Sequence, residues 1–182
     1  MPPVSRAVRK ARAVLASEGV LRPAVPVEKI ARKYAVIVRE DMPDDISGML
    51  VPLPNDAGEP RWAIVVNRAH AAVRQRFTIA HELGHLLLHR YTTPHADGRH
   101  IRFRDEESSK GSVREEVEAN QFAAELLMPE ELVRANLRAS VDLADDTKDN
   151  EAVRRLTRLA KRFEVSVQAL SFRVANLVGE GI

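Results

Sequence analysis

The chain has 182 residues, enough for one domain with a substantial core, and its hydrophobic (45%) and charged (30%) fractions are typical of globular proteins. A formal net charge of +2 gives no electrostatic reason to expect a nucleic acid or a membrane surface as partner. Cysteine is absent, which excludes disulfides, thiolate metal ligands, iron–sulfur clusters and thiol nucleophiles. A metal would therefore need histidine and carboxylate ligands.

The first half of the chain predicts two helices followed by a small sheet. Apolar residues recur at helical spacing between basic ones near the N-terminus, so we expect an amphipathic helix that ends before Gly19. A short second helix is predicted over residues 27–34. Three β-branched runs then predict strands separated by short turns: AVIVRE (35–40), ISGMLVPL (46–53) and RWAIVVN (61–67). The segment PNDAGEPR (54–61) is typical of a turn.

The second half is predicted to be mostly helical. Apolar residues take helical spacing over residues 70–89, and the polar segment 91–111 is expected to be a loop. Ser112 is expected to cap the next helix, with Glu115 three residues later, and this helix should end before Pro129. Further helices are predicted over 130–137, 151–163 and 166–178, and the acidic segment 140–150 is expected to be a loop. The predicted fold class is α+β, with a small three-stranded sheet.

The pattern His81-Glu82-Leu83-Gly84-His85 lies within the helix predicted over residues 70–89. Residues four apart share one helix face, so both imidazoles can reach the same metal ion. Glu82 follows the first ligand directly and can take a proton from a water that a metal activates. This is the His-Glu-x-x-His pattern of zinc metallopeptidases. The alternative, two ordinary histidines on a buried helix, is disfavoured because a second helix rich in carboxylates follows.

A catalytic zinc ion usually has three protein ligands and one open position, and the second helix offers three candidates for the third ligand. Spacing alone leaves Glu115, Glu116 and Glu118 open. Glu116 and Asn120 are four residues apart on one face, so Glu116 could bind the metal while Asn120 accepts a hydrogen bond from a ligand imidazole. Glu115 and Glu118 are expected to be solvated, as most glutamates on such a helix are.

Other histidines are expected to lie outside the site. His89 continues the register, but three histidines on consecutive turns cannot converge on one ion at ~2.1 Å because each turn rises ~5.4 Å. A surface or helix-end position is expected for His89. His95 and His100 are expected to be exposed in a loop, and the alternative is that either enters the site to stabilise an oxyanion. Tyr91 has the same two interpretations.

Three further features have an ordinary and a functional interpretation. Arg74 and Arg76 are expected to be solvated, although a salt bridge to the acidic helix is the alternative. The strand at residues 61–67 or that at 47–53 could be an edge that takes a substrate peptide by strand addition, but a fully paired strand is equally expected. The helix containing VSVQALSFRV is expected to pack on the core rather than to dock a partner.

The motifs together resemble a known family. RQRFTIAHELGHLLLH (74–89) followed by EVEANQFAAELLMP (116–129) is similar to the ImmA/IrrE family of bacterial and phage metallopeptidases. WAIVVN (62–67) and LAKRFEVSVQALSFRVANL (159–177) resemble that family too. The resemblance spans residues 27–177, which is most of the chain.

The resemblance implies a zincin-like fold, in which an active-site helix and a glutamate helix pack against a small sheet. It implies that His81, His85 and Glu116 bind zinc, that Glu82 is the general base, and that Asn120 supports a ligand imidazole. Family members are implied to cleave a helix-turn-helix transcriptional repressor, relieving repression after DNA damage or during transfer of a mobile element. Others are implied to be parts of toxin–antitoxin-like pairs.

We therefore expect a single metallopeptidase domain over residues 1–182, with an N-terminal helix (1–20), a catalytic core (27–138) and C-terminal helices (150–179). The expected activity is zinc-dependent cleavage of a partner repressor that regulates a mobile element, a prophage or a stress response. A non-catalytic zinc-binding anti-repressor or antitoxin is the alternative. The chain shows neither a secretion signal nor an apolar run of about 20 residues, so a cytoplasmic location is expected, without membrane attachment or direct nucleic-acid binding.

Overall fold

The computed structural model describes residues 4–54, 61–89, 95–97, 106–141 and 150–179. These residues form an α+β fold, which confirms the predicted fold class. Its elements, in chain order, are α1 (Arg6–Ser17), α2 (Val27–Ala31), β1 (Val36–Glu40), β2 (Gly48–Leu53), β3 (Arg61–Asn67), α3 (Ala72–Leu88), β4 (His95–Asp97), α4 (Glu106–Leu127), α5 (Glu130–Val141), α6 (Asn150–Phe163) and α7 (Val167–Gly179).

The three predicted strands form the main part of a mixed sheet with the order β1-β3-β2-β4. β1 runs parallel to β3, and β2 runs antiparallel to both β3 and β4. β3 is therefore the central strand, and most of its residues are buried. This explains why RWAIVVN reads as an almost continuous apolar run, since a strand covered on both faces has no need for polar alternation.

The structure differs from the prediction in the loop expected over residues 91–111 and in the start of the helix expected at Ser112. Part of the segment predicted as a loop is the three-residue strand β4, which extends the sheet beyond β2. α4 begins at Glu106, so the prediction of Ser112 as its N-cap is wrong, because Ser112 lies inside the helix. α5 continues to Val141, beyond the predicted end at residue 137. Residues 55–60 of the predicted turn and 142–149 of the predicted acidic loop lie outside the described residues.

Helix α1 ends before Gly19, as its sequence predicts, and begins at Arg6. The Ser5 hydroxyl accepts a hydrogen bond from the Val8 amide at 3.3 Å, which satisfies one of the free amides at the helix N-terminus. Gly19 follows the helix with φ of 61°, a left-handed conformation that glycine adopts without steric cost. The buried face of α1 packs against α4 through residues that are all small or aliphatic: Ala7, Ala11, Val14 and Leu15.

Helix α3 lies at the centre of the described structure. It contacts α2, β2 and β3 on one side and α4 on the other, and α4 in turn lies between α3 and α1. Ile79 and Leu83 of α3 and Phe122 and Leu126 of α4 are almost wholly buried. Burying each such side chain contributes about 1.5–3 kcal/mol, so the packing of these two helices in the core is a major source of stability.

A buried carboxylate joins α4 to both terminal helices. Glu125 is 2% exposed, and its Oε1 accepts a hydrogen bond from Nε of Arg12 in α1 at 2.9 Å. Its Oε2 pairs with Arg173 of α7. Arg173 also donates from Nε to the Met128 carbonyl at 3.1 Å. The charge of Glu125 is therefore compensated by two guanidinium groups from opposite ends of the sequence.

None of the helices in the described ranges is both long and apolar enough to cross a lipid bilayer.

Candidate metal centre

His81 and His85 lie one turn apart on α3, as their spacing predicts. Both side chains are almost fully buried, and their Nε2 atoms are 3.0 Å apart. This separation fits an N–H···N hydrogen bond between two neutral imidazoles, and it equally fits two lone pairs directed at one cation.

Glu116 of α4 joins this pair. Its Oε2 lies 3.3 Å from Nε2 of His81, and its Oε1 lies 3.2 Å from Nε2 of His85. The three residues form the one group in the described part of the chain whose ligand atoms are close enough together to hold a metal ion. Ligand atoms on a tetrahedral ion, at bonds of about 2.0–2.1 Å, are separated by about 3.3 Å. The observed separations fit such an ion.

Close packing of α3 on α4 lets the Glu116 carboxylate reach both imidazoles. Gly84, between the two histidines, faces α4 so closely that a Cβ atom there would lie 3.2 Å from Cα and 3.3 Å from the carbonyl oxygen of Ala119. A larger residue at position 84 would separate the two helices. The signal for this contact was present in the sequence, because a glycine inside a helix usually has a packing reason.

Asn120 contacts the first histidine from the same face of α4. Its Oδ1 lies 3.2 Å from Nδ1 of His81, the ring nitrogen directed away from Glu116. Phe77, one turn before His81 on α3, stacks on the imidazole with ring centroids 6.1 Å apart. A hydrogen bond on one ring atom and an aromatic ring on one face restrict the orientation of this imidazole.

Glu82 is fully buried and lies next to β2. A Cβ atom built on Gly48 of β2 would be 3.6 Å from Oε1 of Glu82, which is ordinary contact distance. The carboxylate is therefore held between α3 and the sheet. Sequence analysis singled out Glu82 but missed Gly48 as its neighbour.

His89 and Glu118 have side chains that are mostly buried. The side chain of His89 is only 7% exposed and that of Glu118 only 14%, with Nδ1 of His89 4.0 Å from Oε2 of Glu118. The expected solvation of Glu118 is therefore wrong, because the packing of α4 on α3 covers it. The His89 side chain is buried as well, but His89 is the C-cap of α3, as the helix-end alternative predicts. His95 belongs to β4, whereas His100 and Tyr91 lie outside the described residues.

The two arginines before the motif make specific contacts. Arg74 donates to Oγ of Ser47 at 2.9 Å. Arg76 donates to the Val25 carbonyl at 2.8 Å and pairs with Glu164 at 3.1 Å, and burial lowers its pKa. These contacts do not include the alternative, a salt bridge to the acidic helix. They connect α3 instead to the segments that contain Val25, Ser47 and Glu164.

The proposed edge strands are paired. β3 (Arg61–Asn67) has β1 on one side and β2 on the other, so it cannot take a substrate strand. In β2, the stretch from Gly48 to Leu50 pairs with β3 and with β4. The fully paired alternative is therefore confirmed for β3 and for the first half of β2.

A helix that carries His-Glu-x-x-His, with a glutamate from a second helix beside both histidines, is an arrangement typical of metallopeptidases. The chain belongs to the family of IrrE N-terminal-like domains, a peptidase family whose model matches residues 32–175. This match confirms the resemblance drawn from the motifs. Helix α1 lies before the matched segment.

A comparison with curated proteins finds no match to this chain.

Proposed function

We propose that the protein is a zinc-dependent endopeptidase that cuts a partner transcriptional repressor at one or a few sites. The observation that carries this proposal is the convergence of His81, His85 and Glu116 in one buried group. Membership in a peptidase family supports hydrolysis as the reaction. The implied substrate follows from the resemblance to the ImmA/IrrE metallopeptidases.

Zinc suits the donors better than other common ions. Two imidazole nitrogens and one carboxylate oxygen, with no cysteine in the chain, are the ligands of hydrolytic zinc sites. Magnesium and calcium favour oxygen ligands, and iron–sulfur clusters need thiolates. When bound, zinc supplies Lewis acidity, which activates water at neutral pH and polarises a peptide carbonyl.

In this mechanism the residues of the chain hold the metal and move the proton. His81, His85 and Glu116 bind the ion, and Asn120 keeps a proton on Nδ1 of His81 so that Nε2 presents its lone pair. The Glu82 carboxylate takes one proton from the attacking water and delivers it to the amine nitrogen as the C–N bond breaks. The products are one new carboxyl terminus and one new amino terminus.

The deciding experiment incubates the zinc-loaded protein with the transcriptional regulator encoded beside its gene, with discrete fragments detected by intact mass. Glu82→Gln tests the mechanism because it keeps the size of the side chain and removes the base. The exposed Glu40, at the end of β1 and outside the groove described below, offers a matched control, Glu40→Gln. We expect fragments with wild type and with the control, and none with Glu82→Gln. Cleavage by Glu82→Gln at the wild-type rate would disprove this role of Glu82.

The alternative is a non-catalytic partner, an anti-repressor or antitoxin that sequesters its target. A groove of about 1120 Å³, lined by α1, α4, α5 and α7 and including the 64% exposed Phe172, favours partner binding in addition to the metal centre. A tight complex that forms equally with wild type and Glu82→Gln, without fragments, would support this alternative over the peptidase.

A further inference from the structure

Gly48 lies where β2 crosses the active-site helix, and the space there excludes any side chain. A Cβ atom on Gly48 would lie 2.3 Å from Cγ2 of Thr78 and 2.9 Å from the carbonyl oxygen of Val65. Both distances are shorter than carbon atoms tolerate without a shift of the structure. The main chain of β2 therefore lies nearer to α3 than any other residue at position 48 would allow.

The two neighbours of Gly48 are held in place. Thr78 is buried, and its hydroxyl donates to the Arg74 carbonyl at 3.0 Å, so rotating its methyl group away would break this hydrogen bond. Val65 belongs to the central strand and is paired with Met49 of β2. Relief of a clash at position 48 would therefore require β2 to move away from α3.

The segment that leads into Gly48 is also fixed. Asn67, fully buried at the end of β3, uses its side-chain amide to bind three carbonyl oxygens of this segment at 3.0–3.1 Å: those of Met42, Pro43 and Ile46. Its own backbone amide donates to the Ser47 carbonyl at 2.9 Å. The start of β2 thus has a defined position relative to α3.

The third neighbour of Gly48 is the carboxylate of Glu82, at 3.6 Å from the built Cβ position. The bare main chain of β2 is therefore one wall of the space that this carboxylate occupies. We propose that Gly48 is a positioning residue for Glu82: the close approach of β2 fixes the direction of the carboxylate without touching the metal ligands. This inference rests on the proposed peptidase function, in which Glu82 moves the proton.

Three alanine variants separate this role from general damage to the fold. Gly48→Ala tests the proposal. Gly84→Ala is the matched control, since its added Cβ would lie 3.1 Å from Phe122 and 3.2 Å from Ala119 and would disturb the α3–α4 interface instead. Lys29→Ala is the neutral control, because Lys29 is exposed on α2 and lies outside the groove between the terminal helices.

Each variant is loaded with zinc and assayed for kcat and KM on the partner repressor and for zinc affinity by chelator competition. We expect Gly48→Ala to lower kcat about 10- to 100-fold, with KM and zinc affinity within about twofold of wild type, because a shift of about 1 Å in a catalytic group has effects of this size. Gly84→Ala should lower zinc affinity, and Lys29→Ala should change none of the three quantities. Unchanged kcat in Gly48→Ala would overturn the proposal. A loss of zinc affinity in this variant as large as its loss of kcat would overturn it too.

Crystal structures of zinc-loaded wild type and Gly48→Ala give a second readout that does not depend on proteolysis. We expect the Glu82 carboxylate to shift by about 1 Å relative to the two histidines, the displacement that the kinetic effect requires. A carboxylate that stays in place would overturn the positioning role even if the wild type cuts its partner. If the wild type cuts nothing but the carboxylate shifts, the proposed function fails while the positioning role stands.

Thr78→Ser supplies a rescue and a safeguard against a variant that does not fold. It keeps the hydroxyl that binds the Arg74 carbonyl and removes Cγ2, the atom nearest to the added Cβ. Gly48→Ala combined with Thr78→Ser should fold and recover part of the lost kcat. A double variant that folds but recovers nothing would show that contact between residues 48 and 78 does not control Glu82.

Discussion

The side chain of Asn120 holds the first histidine of the motif: its Oδ1 lies 3.2 Å from Nδ1 of His81. An amide oxygen can only accept a hydrogen bond, so the proton of the neutral imidazole resides on Nδ1. Nε2 then carries the lone pair, and Nε2 is the atom that faces Glu116 at 3.3 Å. One hydrogen bond from α4 thereby selects the tautomer that can bind a metal.

Replacing Asn120 with alanine should weaken zinc binding about 10- to 100-fold, because loss of such an outer hydrogen bond frees the ring and its tautomer. Competition with a fluorescent zinc chelator measures the effect. The neighbouring exposed Gln121 provides the control, and Gln121→Ala should bind zinc like wild type. Equal affinity in the two variants would show that the hydrogen bond to His81 does not support the ligand.

Glu116→Ala should lose most of its bound zinc after dialysis, since only two protein ligands remain. Metal content measured by mass spectrometry, per mole of protein, reports this directly. Glu115→Ala, next to it on α4, should retain the wild-type content. If Glu115→Ala lost zinc and Glu116→Ala kept it, the third ligand would be assigned to the wrong glutamate.

Glu125→Ala should lower the free energy of unfolding by about 3 kcal/mol, because it leaves the largely buried Arg173 without its carboxylate partner. Urea unfolding followed by circular dichroism measures this change. Glu131→Ala removes an exposed carboxylate from α5 and should change stability by less than about 0.5 kcal/mol. A small effect at Glu125 would mean that the terminal helices do not depend on this cluster.

Glu28 should make stability depend on pH. The Arg39 guanidinium, with Arg32 in support, lowers the pKa of Glu28 from 4.5 to about 2 in the folded protein. Its stabilising contribution is therefore complete above the unfolded pKa and is lost as pH falls from about 4.5 towards 2. Since the carboxylate is 35% exposed, the contribution should be about 1 kcal/mol or less.

The pH effect is measured as the difference in unfolding free energy between wild type and Glu28→Gln. This difference should be largest near pH 7 and should shrink steadily below pH of about 4.5. A difference that stayed constant from pH 7 to pH 3 would exclude an ionic origin.

Sequence reasoning named the residues that form the candidate metal centre because their arrangement is local. His81 and His85 share a face through simple helical spacing, and Glu116 and Asn120 do the same on α4. Choosing Glu116 over Glu115 and Glu118 needed either the family resemblance or the packing of one helix on the other. Spacing determines which residues share a face of a helix, but it does not determine which faces of two helices pack against each other.

The features that sequence reasoning missed depend on contacts between distant segments or on weak local signals. β4 has only three residues and no β-branched run, and the first turn of α4 is polar without an apolar period. In the sequence, Glu125 cannot be distinguished from an ordinary surface glutamate. Its partners, Arg12 and Arg173, are distant in sequence and meet it only in the folded structure. Gly48 becomes informative only when β2 is placed against α3.

The division of the ligands between two helices has a thermodynamic consequence. His81 and His85 come from α3 and Glu116 from α4, so a bound ion would act as a cross-link between two separate parts of the chain. Any ligand that prefers the folded state stabilises it. Here the bound ion would stabilise the α3–α4 interface. As zinc occupancy increases, the protection of buried amides in both helices against hydrogen exchange should therefore increase with it.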